Sequence, residues 1–225
     1  MKKFFLYFFY VTCLIELVSI VLSNGALEMV CKPLIMITLG GYYFSSTSRE
    51  TLSMSLVLAI LFSLCGDVLL MLQQKENSFF MFGLLAFLFS HVCYVLTYRQ
   101  HANQDDGQGL QGIQKARFSF PFILAGTGRV VILYPFLGNL KIPVMLYALV
   151  LIVMVLNALF RYGHTHVRSF WMVFAGAVLF MASDSLLAIN KFLNPIDKGV
   201  FWIMITYVSA QFLIVQGLIE HHKRS

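Results

Sequence analysis

Charge is scarce in this chain. Lysine, arginine, aspartate and glutamate make up 12% of its 225 residues, about half the density a soluble domain needs. With 59% hydrophobic residues and a mean hydropathy of +0.80, that shortage excludes an ordinary water-soluble fold. Cysteine is sparse too. Cys13, Cys31, Cys65 and Cys93 all fall inside apolar runs and read as small buried hydrophobes, not as a disulfide framework or a metal site. No polar stretch is long enough to fold alone: the longest, 99–117, is rich in Gln and Gly. Familiar catalytic signatures are missing as well. There is no Gly-x-Ser-x-Gly elbow, no His-Glu-x-x-His zinc motif and no phosphate-cradling Gly loop. One histidine, His91, lies within an apolar run, too few for a buried zinc site, so any chemistry falls mainly to carboxylates and needs no metal or organic cofactor.

What the chain does have is length without charge. Apolar runs cover approximately 4–22, 27–44, 52–71, 79–98, 118–137, 142–160, 169–189 and 200–219. Each is near the twenty or so residues that span a hydrocarbon core. They predict an all-α integral membrane protein of about eight transmembrane helices, forming one domain over 1–225. The start, Met1-Lys2-Lys3 before an apolar run, resembles a signal peptide. Glu16 inside that run and the lack of a small-x-small cleavage site favour a retained first helix.

The net charge of +6 is no nucleic-acid signature, because the basic residues are spread over short loops where they serve topology. With a cytoplasmic N-terminus, ten Lys and Arg side chains fall on the inner side and four (Lys75, Lys141, Lys191 and Lys198) on the outer. The excess predicts both termini inside, and the lack of an organelle-targeting signal suits a bacterial inner membrane. The His164-x-His166 pair and His221-His222 then read as solvated cytoplasmic residues.

An internal echo joins Gly66-Asp67-Val68-Leu69-Leu70, late in the third run, to Ser183-Asp184-Ser185-Leu186-Leu187, late in the seventh. Four runs separate them, which suggests two parallel halves, 1–98 and 118–225, joined by a cytoplasmic linker over 99–117. One shared pentapeptide is also compatible with coincidence.

Ionisable residues within spans cost about 2.5–3.5 kcal/mol each on insertion scales and call for an explanation. Glu16, Lys32, Asp67, Arg129 and Asp184 are such residues, and each counts to the outer half of its helix. Asp67 and Asp184 lie roughly 6–9 Å deep at 1.5 Å per residue. Five charges at one depth predict one shared polar chamber. An ion-pair network that merely holds helices together explains the same charges. Yet three acids face two bases, and a neutral carboxylic acid beside an ionised one is an arrangement that supports acid–base chemistry. His91 and Tyr94 share a face of the fourth helix, and Tyr207 and Gln211 one of the eighth. His91 reads more readily as a helix-packing side chain than as a catalyst, and Tyr94 and Tyr98 as interface aromatics.

These residues resemble the YhhN-type lysoplasmalogenase family. The likeness runs from Lys32-Pro33 through Ser63-Leu64-Cys65-Gly66-Asp67-Val68-Leu69-Leu70, Phe82-Gly83-Leu84 and His91-Val92-Cys93-Tyr94. It continues with Pro143-Val144-Met145-Leu146-Tyr147, Gly176 to Phe180, Ser183 to Ala188 with Lys191-Phe192, and Tyr207-x-x-Ala210-Gln211. The resemblance implies hydrolysis of the vinyl ether bond of lysoplasmenyl-ethanolamine or -choline, giving a fatty aldehyde and a glycerophospho-ethanolamine or -choline. It also maps the family's two aspartates onto Asp67 and Asp184. Lys32, His91, Tyr94, Arg129, Tyr207 and Gln211 are the candidate supporting or substrate-binding residues. Lys32 and Arg129 either hold an ionised carboxylate or receive the substrate phosphate. Two rival readings stay open: a proton-coupled carrier, and a structural bundle whose charges only assemble helices.

Overall fold

A computed structural model describes residues 1–76, 78–102 and 109–222, the side chains of Gln74 and His222 excepted. It is all-helical: α1 (Lys2–Val21), α2 (Gly25–Ser46), α3 (Met54–Met71), α4 (Ser78–Gln100), α5 (Ile113–Leu133), α6 (Lys141–Leu159), α7 (Val167–Phe192) and α8 (Gly199–His222). Among the described residues, seven of these helices are long and apolar enough to cross a membrane. The chain is a multi-pass membrane protein. The helix outside that set, α2, has 22 residues, about 33 Å at 1.5 Å per residue, but carries Glu28, Lys32 and Pro33.

Polar breaks set the helix ends. Asn24 caps α2 and Ser53 caps α3 through their side chains, accepting from the Leu27 and Leu56 amides. The short connections make α1–α2, α3–α4 and α7–α8 antiparallel neighbours, α4 packs on α6, and α8 packs on both α1 and α2. Where lipid replaces water, helices associate through close van der Waals packing, and small residues permit it. A Cβ on Gly66 would stand 2.6 Å from the Phe87 ring, and one on Gly176 would stand 2.9 Å from the Ala210 carbonyl oxygen. Of the spans, α4 is the most enclosed, 56% buried, while α5 at 17% lies at the periphery.

Several expectations need correction. The fifth helix starts at Ile113 rather than 118 and gives way after Leu133 to 3-10 turns. Part of the expected linker, 103–108, lies outside the described residues. All four thiols are free, but Cys65 is exposed on the bundle surface, since its α3 neighbours Gly66 and Asp67 take the inward face. Tyr94 and Tyr98 are core residues with no exposed surface, not interface aromatics. His221 is buried rather than solvated, because α8 runs on to His222 and packs it against His101, ring centroids 5.6 Å apart.

That end of the bundle also buries Arg161, 1% exposed, just beyond α6. Its guanidinium donates to Ser169 Oγ at 3.1 Å and to the His101 carbonyl at 3.3 Å. Burial brings its pKa down to about 10, so it stays protonated at neutral pH.

Candidate active site

Asp67 and Asp184 each receive a tyrosine hydroxyl from another helix. Tyr207 on α8 donates to Asp67 Oδ2 on α3 at 2.7 Å, and Tyr147 on α6 donates to Asp184 Oδ2 on α7 at 2.6 Å. Asp67 is 2% exposed, and a carboxylate that deep keeps its place through such bonds. Asp67 lies four residues from the end of α3 and Asp184 eight from the end of α7. Asp184 is therefore deeper than expected, because α7 runs on to Phe192.

Behind Asp67 stands a buried polar chain. Gln211 donates from Nε2 to Ser63 Oγ at 3.0 Å and to the Tyr207 oxygen at 3.3 Å, while its Oε1 accepts from the Tyr94 hydroxyl. Ser63 and Ser90 share a hydrogen bond at 2.8 Å, and Ser90 Oγ donates to the Ala59 carbonyl. Tyr94, Tyr207 and Gln211 thus converge on one network spanning α3, α4 and α8.

Around Asp184 the arrangement is less complete. His91 Nε2 lies 3.8 Å from Asp184 Oδ2, beyond hydrogen-bond reach. His91 has no exposed surface, and neither of its ring nitrogens meets a hydrogen-bond partner among the described residues. Edge contacts to Tyr147 and Phe180, centroids 5.2 and 4.7 Å away, hold the imidazole in place. Arg129 donates to Ser185 Oγ at 3.0 Å, and Ser185 donates in turn to the Met181 carbonyl.

The charges do not share one chamber. Arg129, Asp184 and Tyr147 line a narrow cavity of about 30 Å³, whereas Glu16 and Lys32 line a larger one of about 470 Å³. Leu70 and Leu187 stand in the walls of both. Phe87 and Phe180 fill the bundle between the two Asp–Tyr pairs, both contacting Tyr207, with Phe180 also on His91. Within 4 Å, Glu16, Lys32, Asp67 and Arg129 form no ion pair among the described residues. The charges are therefore not a set of closed salt bridges.

Sequence reading missed Tyr147 as a site residue, although a phenol within a span was the available signal. Ser63 and Ser90 carried no signal, since isolated serines are common in transmembrane helices. Among the described residues no three His, Cys, Asp or Glu side chains converge as metal ligands.

A family model for the YhhN family matches residues 27–218. The chain belongs to the YhhN family. All of the site residues above except Glu16 lie within the matched part. A lysoplasmalogenase of Mycobacterium bovis is 33% identical over 167 residues, covering 72% of this chain and 59% of that protein. Lysoplasmalogenase TMEM86B of Sus scrofa is 30% identical, covering 69% of this chain and 59% of its own length. The Homo sapiens TMEM86B lysoplasmalogenase is 26% identical, with 86% and 75% covered. The chain thus spans about three-fifths of the mycobacterial and porcine relatives. No solved structure matches this family member.

Proposed function

We propose that this chain is a lysoplasmalogenase, hydrolysing the vinyl ether bond of a lysoplasmenyl-ethanolamine or -choline to a fatty aldehyde and the glycerophospho-alcohol. The observation that carries the reading is the pair of intramembrane aspartates, buried Asp67 and largely buried Asp184, each held by a tyrosine within the family-matched part of the chain. The similarity to lysoplasmalogenases supports a hydrolase over a carrier. Pro33 and Pro121 also lie inside continuous helices, without the broken pair that marks a carrier's central site.

A vinyl ether resists base and nucleophiles but opens with acid. One carboxylic acid gives its proton to the β-carbon, the C=C electrons forming the new C–H bond. An oxygen lone pair then makes the oxocarbenium ion. An ionised carboxylate stabilises that cation and takes a proton from the water that adds to it. The hemiacetal breaks its bond to the glycerol oxygen, which is protonated as the aldehyde forms. One water is consumed, with no oxidant or reductant. One of the two aspartates supplies the acid and the other the ionised carboxylate. The cavity beside Asp184 has room for roughly one or two waters. Arg129, held on Ser185, is read as the cation that keeps Asp184 oriented.

We read the chain as one transmembrane domain of two halves with both termini cytoplasmic, so that the Asp67 and Asp184 end faces outward. Two features support the halves. The 117-residue step from Asp67 to Asp184 also separates Tyr94 from Gln211, which are hydrogen-bonded to each other, and α4 packs on α6 as α8 does on α2.

Turnover in D2O tests the chemistry. One solvent deuterium is expected on the carbon next to the aldehyde, and an aldehyde without it would rule out β-carbon protonation.

A further inference from the structure

We propose that the larger cavity, at the outer mouth between α1, α2, α3, α7 and α8, is a headgroup site for a zwitterionic phospho-amine. Glu16 and Glu28 face its ammonium, and Lys32 and Lys191 take its phosphate. The proposal rests on the lysoplasmalogenase reading for the rest of the ligand and goes beyond it in assigning the residues that read headgroup charge.

The cavity of about 470 Å³ is lined by these four side chains together with Gln73 and Asn190. Glu16 is 1% exposed, and its Oε2 meets no hydrogen-bond partner among the described residues. A carboxylate oxygen withdrawn from water and left without a donor is costly, so an orphan acceptor in the wall of a cavity points to a ligand that supplies the donor. Glu16 lies outside the family-matched residues and has no place in the Asp67 hydrogen-bond network.

Lys32 acts electrostatically on both Glu16 and Asp67 yet pairs with neither within 4 Å. Opposite charges that line one cavity without closing on each other suit a ligand carrying both signs. Lys191 is fixed at the rim, donating to Gln73 Oε1 at 3.0 Å with its ammonium 5.1 Å from the Phe80 ring centroid. One of its three donors is used there, and the others are available to phosphate oxygens. Glu28 lies in the first turn of α2, where a carboxylate also suits the helix dipole, so Glu16 is the more telling residue.

Position ties the cavity to the chemistry. Leu70, one turn from Asp67, and Leu187, one turn from Asp184, line both this cavity and the narrow one. A headgroup seated among the charges leaves the glycerol and its ether oxygen to pass between those leucines. An anionic headgroup would meet Glu16 and Glu28, and a lipid without phosphate would leave the lysines unmatched.

Calorimetric titration of the purified protein in detergent, with sn-glycero-3-phosphoethanolamine and with glycerol 3-phosphate, tests this without turnover. The wild type is expected to bind the zwitterion at least tenfold more tightly than glycerol 3-phosphate. Glu16→Gln should abolish that preference, and Lys32→Gln should weaken both ligands at least tenfold. If Glu16→Gln fails to fold, Glu28→Gln and Lys191→Gln at the rim carry the test, each with about a threefold loss for the zwitterion. A wild type that binds neither ligand, or variants that bind both as the wild type does, would overturn the proposal. Selective binding without aldehyde release from lysoplasmalogen would keep this site and sink the hydrolase. Aldehyde release with an unchanged KM in Glu16→Gln and Lys32→Gln would sink the headgroup site alone.

Discussion

The Tyr147 hydroxyl on α6 donates to Oδ2 of Asp184 on α7 at 2.6 Å, fixing one face of a carboxylate that sits eight residues inside its helix. A hydrogen bond to a charged group contributes about 1.5–3 kcal/mol, and 1.4 kcal/mol is tenfold in rate. Tyr147→Phe is therefore expected to lower kcat about tenfold or more while the helices stay assembled. Tyr207→Phe should do the same at Asp67. Measured kcat with circular dichroism and melting temperature checks this, and two folded variants with wild-type kcat would mean the phenols do not hold the reacting carboxylates.

His91 invites a sharper test, because its buried imidazole lies 3.8 Å from the Asp184 carboxylate without a hydrogen bond closing the gap. His91→Phe keeps the ring contacts to Tyr147 and Phe180 and removes the titratable group. A kcat loss of about tenfold or more and an altered pH profile are expected if the imidazole passes protons to Asp184. Unchanged kcat and pH profile would return His91 to the packing role its sequence context first suggested.

At the opposite end, Arg161 is buried and protonated at neutral pH, with Ser169 and the His101 carbonyl as acceptors. Arg161→Ala leaves those acceptors and a cavity behind, so a loss of about 2–4 kcal/mol in stability is expected. Thermal unfolding in detergent should show a lower Tm, with KM unchanged in the folded fraction. A changed KM at unchanged Tm would contradict a structural role.

The spans and their intruding charges were legible in the sequence, because lipid penalises charge and twenty apolar residues have few other uses. Asp67 and Asp184 stood out for the same reason. What stayed hidden depends on helix rotation and contacts far apart in sequence. Nothing local in Tyr147 marks it as the partner of a residue 37 positions away. The division into two cavities runs through Leu70 and Leu187, which stand in the walls of both, and apolar side chains carry no address in an apolar helix. Cys65 was misjudged on the same ground, since the hydropathy of a span does not say which face turns inward, and His221 because α8 runs past its apolar stretch to His222.

The most direct measurement is fatty aldehyde release from a lysoplasmalogen by the purified chain in detergent, beside Asp67→Asn and Asp184→Asn. Aldehyde from the wild type and at least a hundredfold less from both well-folded variants is the expected result. No aldehyde from a folded wild type with either an ethanolamine or a choline headgroup would contradict a vinyl ether hydrolase. Full activity in both variants would contradict the two aspartates as its acid and base.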